Sequence, residues 1–262
     1  MDLPHVCDQT VHLVREVGAF IRKEQQKVTS GDIELKSLNS LVSYVDKQAE
    51  EQLVAGLTRI VPEAGFIAEE GTGERNGNGL NWIVDPLDGT TNFLHGLPVY
   101  SVSVALHDGK DLVIGVVLEV GQNECFHAYR GGGAYVNGSP ISVSSNATLA
   151  DSLLATGFPY YDFERMEEYL NLLRDCFQKT RGVRRWGSAA VDLAYVACGR
   201  FDGFFEYGLN PWDVAAGTLL VQEAGGKVSA FSPTNDPIFG REILASSSSV
   251  YDELNELVRE HL

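Results

Sequence analysis

Trp82-Ile83-Val84-Asp85-Pro86-Leu87-Asp88-Gly89-Thr90-Thr91-Asn92-Phe93 is the stretch from which the rest of this chain is read. An apolar run ends in two acids three positions apart, with a proline between them and a glycine and two threonines after them. Residues 82–84 read as a buried strand, and Pro86 is expected to stop it while fixing one backbone torsion. Asp85 and Asp88 are then held close together at a strand end, where two carboxylates repel each other unless a cation lies between them. Gly89 allows a tight turn, so the amides of Gly89 and Thr90 can face an anion. The segment offers ligands for hard cations and donors for a phosphate, a combination that suggests metal-assisted hydrolysis of a phosphate ester. Asp-x-x-Asp alone is also an ordinary surface-turn pattern; the specificity lies in the whole segment.

Composition narrows the setting. The 262 residues suffice for one large domain or two tightly packed halves, and 44% apolar content fits a globular fold. No apolar run approaches the ~18 residues of a membrane span, and residues 1–8 lack the pattern of a secretory signal. Cys7, Cys125, Cys176 and Cys198 are scattered, without a Cys-x-x-Cys, and read as free thiols in a reducing cytoplasm. A net charge of −16 argues against nucleic acid as the main partner. It also means that an anionic substrate needs local positive charge, which cations held by carboxylates would supply.

Residues 3–27 and 46–59 carry helical apolar spacing, and Gly65–Ala68 reads as a short strand delivering Glu69 and Glu70. Residues 100–106 and 112–120 flank Asp108-Gly109, a hairpin signal, and 124–129 continues the sheet. Gly131-Gly132-Gly133 reads as a tight turn, since neither a P-loop lysine nor a helix follows. After about residue 150 strands and helices alternate: strands at 153–156, 184–186, 201–206, 227–230 and 243–246, helices at 163–179, 188–198, 213–223 and 250–261. The expectation is an α+β half over 1–150 and an α/β half over 151–262, joined as one compact unit.

The opening segment closely resembles a signature of the inositol monophosphatase family: Trp, any residue, Ile or Val, Asp-Pro, Ile or Leu, Asp-Gly-Thr, any residue, Asn, then Phe or Tyr. A second signature of that family is matched by Trp212-Asp213-Val214-Ala215-Ala216-Gly217-Thr218-Leu219-Leu220-Val221-Gln222-Glu223-Ala224-Gly225-Gly226, in the right order. The resemblance covers nearly the whole chain. It implies the layered αβαβα sandwich of the sugar phosphatases, a fructose-bisphosphatase-like fold with the site between the halves.

It also implies residue roles. Glu69, Asp85 and the Leu87 carbonyl would hold one Mg2+; Asp85, Asp88 and Asp213 a second; a third, loosely held ion would share Glu69. An all-oxygen carboxylate set suits Mg2+ rather than zinc. Ala68 stands where the family has glycine, which keeps a small residue before Glu69; Glu70 is a neighbour of lesser role. Thr90 with Asp46 resembles the pair that orients the attacking water and accepts its proton, and Lys36 matches a family lysine near the loose site, at a spacing one residue shorter. Asp213 alone would read as a helix-start acid. Asp88, Gly89, Thr90, Gly187, Ser188, Ala189, Glu206 and Asp213 would line the substrate, with Arg184 and Arg185 as structural or subunit-contact residues or as phosphate contacts. Thr91 stands where nucleotide-type relatives more often carry lysine, which favours myo-inositol 1-phosphate or a similar sugar phosphate, with fructose 1,6-bisphosphate as runner-up. The family further implies a homodimer and sensitivity to lithium. Some bacterial members bind RNA polymerase or ribosome-assembly factors, so a binding role stands as the alternative of another class.

Overall fold

Helix α1 (Leu3–Gln25) starts at Asp2, whose side chain accepts the His5 amide, and turns Val6, Thr10, Val14, Val17 and Ile21 inward. The computed structural model describes the chain apart from residues 38, 39, 78 and 161 and the side chains of 30, 36, 37, 40 and 41. Strands β1 (Ile33–Ser37) and β2 (Ser40–Ser43) form a small antiparallel hairpin that the sequence reading did not anticipate. Helix α2 (Tyr44–Ile60) begins with a capping box, Ser43 and Asp46 each binding the other's backbone amide region. Next come β3 (Gly65–Ala68), β4 (Leu80–Asp88), the short α3 (Thr90–Leu94), β5 (Ser101–Asp108), β6 (Leu112–Glu119), β7 (Glu124–Tyr129), β8 (Ala134–Val136) and β9 (Ser139–Ile141). These seven strands form one sheet in sequential order, antiparallel except for the parallel pair β3–β4.

The rest of the chain is β10 (Leu153–Thr156), α4 (Met166–Lys179), β11 (Gly182–Arg184), α5 (Ala189–Ala197), β12 (Gly203–Tyr207), α6 (Pro211–Glu223), β13 (Lys227–Ser229), β14 (Glu242–Ser246) and α7 (Tyr251–Arg259). Its five strands make a mixed sheet ordered β11-β10-β12-β14-β13. Among the described residues, no helix is long and apolar enough to cross a membrane.

Five layers follow from what packs on what. Helices α1 and α2 cover one face of the large sheet, α5 and α6 lie between the two sheets, and α4 and α7 cover the small sheet's outer face. This is the layered αβαβα stack. Alternation along the strands explains it: Val102, Val104 and Leu106 face the α1/α2 core, while Ala105 faces the α5/α6 core. The inner face is built from small residues so that α6 can come close. A Cβ on Gly115 would lie 2.7 Å from the Ala216 carbonyl oxygen, and one on Gly217 would lie 2.4 Å from Leu193 Cβ on α5.

The expected stop at Pro86 is corrected. Strand β4 runs through it to Asp88, and its pairing with β5 shifts by one residue between Asp85↔Ser103 and Asp88↔Ser101. Proline lacks an amide to donate, and a bulge is where a paired strand tolerates that. The bulge has a chemical result. Residues 85 and 88 of a regular strand would point to opposite faces; one extra residue turns both toward the same side.

Candidate active site

The bulge in β4 and the start of α6 bring Asp85, Asp88 and Asp213 together, with carboxylate oxygens within 4.8 Å of one another. Each is fixed by the backbone that presents it. Asp85 Oδ1 accepts the Leu87 amide at 3.0 Å. Asp88 Oδ2 accepts the Ser188 hydroxyl at 2.7 Å and the Ala190 amide at 2.8 Å, tying β4 to the start of α5. Asp213 Oδ2 accepts the Asn210 amide at 2.6 Å as the third residue of α6. The helix-cap role and a cation-facing role are therefore compatible: one oxygen caps while the other remains. Glu69 follows β3, which runs parallel to β4, and its carboxylate shares a hydrogen bond with that of Asp85.

Electrostatics give the cluster its character. Burial, then the charges of Glu69, Asp88 and Asp213, hold the Asp85 carboxyl well above the usual range. Burial pushes Asp88 to about 6 despite its Ser188 and Ala190 donors and the Arg185 charge, and burial plus the Asp88 charge pushes Asp213 to about 8. Each of these acids binds its proton more tightly in the fold than in the unfolded chain. The cation-free fold therefore holds extra protons from about pH 4, the ordinary value for Asp, up to about 8, and its stability falls as pH rises through that window. Melting of chelated protein should show Tm declining across this range, and Mg2+ should restore more at pH 8 than at pH 5; a Tm that rises over the window contradicts this account. Buried acids that repel one another and offer only oxygen are a fitting donor set for Mg2+.

On the far side of Leu87, the Thr90 hydroxyl lies 3.0 Å from Asp46 Oδ1 and 2.9 Å from the Leu87 carbonyl oxygen. Asp46 is buried and its other oxygen accepts the Ser43 amide and hydroxyl at 2.9 and 2.8 Å. Burial outweighs these donors and raises its proton affinity. Gly89 adopts a left-handed conformation, φ 88°, at the entry to α3, and its amide interacts with the Asp88 carboxyl. A Cβ there would lie 3.0 Å from the Gly187 carbonyl oxygen, so the two segments meet backbone to backbone. The side chain of Lys36 lies outside the described residues. Glu70 is held by its amide, which donates to Glu50 Oε2 at 2.7 Å; the Thr72 amide donates to Glu50 Oε1 at 2.8 Å. Buried Glu50 thus shapes the turn carrying Glu69.

A cleft open to solvent, with about 1020 Å³ of empty space in and above it, lies over these groups and brings together Glu69, Asp88, Gly89, Thr90 and Asp213 with Gly187, Ser188, Ala189 and Glu206. Asp85, Leu87 and Asp46 lie buried beneath or beside it. Arg184 is exposed, whereas Arg185 lines the cleft. Asp192, which the sequence reading passed over, lines it as well. Its signal was a single acid inside the apolar run Ala189-Ala190-Val191-Asp192-Leu193-Ala194.

The stack of five layers and the acid cluster between its sheets define the fold class of the inositol-phosphatase type. The profile of the inositol monophosphatase family matches residues 2–262, and the chain belongs to that family. It is 40% identical to "Nus factor SuhB" of Pseudomonas aeruginosa over 253 residues, 95% of this chain and 93% of that one. It is 38% identical to "Inositol-1-monophosphatase" of Mesorhizobium japonicum over 253 residues, 96% and 95% of the two chains. The crystal structure of extragenic suppressor protein suhB from Bartonella henselae superposes with a TM-score of 0.93 at 37% identity, over 98% of this chain and 100% of that one.

Proposed function

We propose that this chain is a Mg2+-dependent phosphoric monoester hydrolase acting on myo-inositol monophosphate or a similar sugar phosphate. The observation that carries the reading is the convergence of Asp85, Asp88 and Asp213 at a cleft whose wall is the Gly89–Thr90 turn. Glu69, Asp85, the Leu87 carbonyl, Asp88 and Asp213 would hold two to three Mg2+ ions. Bound there, the cations supply Lewis acidity toward a water and the phosphate oxygens. Asp46 keeps the Thr90 hydroxyl pointed at its own carboxylate. The Thr90 oxygen then takes a proton from the attacking water while passing its own to Asp46, whose raised proton affinity suits the task. The amides of Gly89 and Thr90 orient the phosphate, and Gly187, Ser188 and Ala189 floor the alcohol's pocket. Lithium sensitivity, a homodimer and a cytoplasmic place belong to the same reading. Phosphate release from a panel of inositol, sugar, nucleotide and aryl monophosphates and of fructose 1,6-bisphosphate tests it; no release from any of them in Mg2+ would refute it.

A second reading comes from the relatives named "Nus factor", under which the chain acts as a binding partner in a larger assembly. The intact acid cluster favours the enzyme. A pull-down with an Asp213 variant separates the two roles: capture that survives loss of turnover would establish binding apart from catalysis.

Within the hydrolase, Glu206 is assigned to the substrate's hydroxyls. It ends the apolar run of β12 and lies buried in the cleft, its proton affinity raised by that burial and lowered by Arg185. Glu206→Gln should raise KM for myo-inositol 1-phosphate about tenfold, the loss of one good hydrogen bond. Equal losses on an aryl phosphate would mean that Glu206 supports the fold or the metals instead. Gly157 offers an independent check. A Cβ there would lie 1.9 Å from Glu206 Oε1, so alanine must push the carboxylate aside. The obstacle is the end of a flexible side chain, so Gly157→Ala should fold and should raise KM for the inositol ester by a similar roughly tenfold factor. An unchanged KM would dissociate that carboxylate from recognition.

A further inference from the structure

Helix α2 carries a second buried acid, Glu50, one turn after Asp46 and on the same face. Glu50 is fully buried, and both its oxygens are engaged by one turn of another segment: Oε2 accepts the Glu70 amide at 2.7 Å and Oε1 the Thr72 amide at 2.8 Å. Gly71 between them is left-handed, φ 83°, which lets the amides on either side of it converge on one anion. A concavity of this kind commonly receives the phosphate or carboxylate of a ligand. Here it receives a carboxylate of the chain itself, at the cost of burying that charge.

The clamped turn begins at Glu69. The Glu69 amide donates to the Val84 carbonyl of β4 at 3.2 Å, and the Gly71 amide donates to the Ala68 carbonyl at 3.3 Å. Glu69 is therefore fixed on one side by β4 and on the other by Glu50. Its carboxylate lines the cleft and shares a hydrogen bond with Asp85, whose charge, like those of Asp88 and Asp213, repels it. A long acidic side chain on a loose turn would swing away from such neighbours. A cation ligand has to be held in place beforehand by the groups behind it, or binding the ion must also order the ligand.

We infer that Glu50 is a positioning residue for cation binding: its clamp on the turn after β3 fixes the reach of Glu69 toward Asp85. The same helix holds the Thr90 hydroxyl through Asp46 at 3.0 Å. Helix α2 thus sets the spacing between the Glu69 ligand and the Thr90 hydroxyl from behind the cleft. This deepens the hydrolase reading above and rests on it.

The test uses the full-length protein, stripped with a chelator and titrated with Mg2+. Binding is read by calorimetry without substrate, and turnover by phosphate release from myo-inositol 1-phosphate. In Glu50→Gln one amide keeps an oxygen while the other meets the side chain's NH2 group. The half-maximal Mg2+ concentration should rise about tenfold in both measurements, with kcat at saturating Mg2+ within about threefold and KM unchanged. Gly71→Ala probes the clamp from the other side. Its Cβ meets nothing within 4 Å, so the variant should fold, but alanine resists the left-handed conformation that aims the two amides. It should shift the Mg2+ dependence in the same direction, and the double variant should lose little more than either alone, since both loosen one turn. Leu57→Val, in the core about 10 Å further along α2, should lower Tm and leave the Mg2+ dependence unchanged. A merely structural Glu50 behaves like Leu57, with a lower Tm and unaltered Mg2+ affinity, and that result overturns the inference while leaving the hydrolase reading intact. So does full affinity in Gly71→Ala. An unsubstituted protein that binds no Mg2+ refutes the hydrolase reading itself, and this inference with it.

Discussion

Asp213→Asn is expected to slow release of phosphate about a thousandfold at saturating Mg2+, the scale of the several kcal/mol that cation charge stabilisation contributes to a transition state. Asparagine keeps an oxygen that can accept the Asn210 amide, now bonded to Asp213 Oδ2 at 2.6 Å, so the start of α6 should survive. What is lost is one negative charge from a cluster whose oxygens lie within 4.8 Å of one another. Burial and the Asp88 charge push the Asp213 carboxyl up to about 8 in the cation-free fold, so the substitution should also raise the Tm of chelated protein near neutral pH. Phosphate-release kinetics and thermal melts on the same preparation read both effects. Near-normal turnover at saturating Mg2+ would remove Asp213 from the mechanism.

The larger effect is expected from the cations themselves. Protein stripped with a chelator should release no phosphate from any ester, and Mg2+ should restore the full rate. Among the described residues the cleft's acids outnumber its basic groups: Glu69, Asp88, Asp162, Asp192, Glu206 and Asp213 line it, with Arg185 against them. A phosphate dianion entering such a cleft meets repulsion, and the amides of one turn do not offset it. Turnover in excess chelator would sink the metal-dependent mechanism. A rate restored by Mg2+ but not by monovalent salt of equal ionic strength would exclude simple charge screening as the cause.

What the sequence made legible was the chemistry of short segments. Asp85, Asp88, Gly89 and Thr90 sit in one unbroken motif, and Asp213 in another. The family resemblance supplied their likeness to a known site, while apolar periodicity supplied most helices and strands. The structure differs where long-range pairing decides. Pro86 read as a stop because its missing amide is a local property, whereas the β4–β5 register that accommodates it is not. The β1–β2 hairpin is short and its strands are not continuously apolar, so no period stood out. Asp192 and Glu50 are single polar residues in unremarkable surroundings, and Arg185 was read with Arg184 only as a structural, subunit or phosphate contact; that Asp192 and Arg185 line the cleft depends on α5 and on the Phe158 and Tyr160 rings, and the role of Glu50 on the turn after β3.

Asp46, Asp88 and Asp213 each also accept a backbone amide at or beside the first turn of a helix: Ser43 before α2, Ala190 in α5, Asn210 before α6. A lineage that abandoned turnover for another task would still be selected to keep these acids, because losing them would fray three helices. Descendants of an enzyme with this architecture would go on resembling one long after the activity had gone. Glu69 follows a strand and Asp85 lies within one, and neither starts a helix, so no helix cap would hold these two acids in such a lineage. Among relatives that carry different job descriptions, the residues at those two positions are the more telling record of whether hydrolysis is still being maintained.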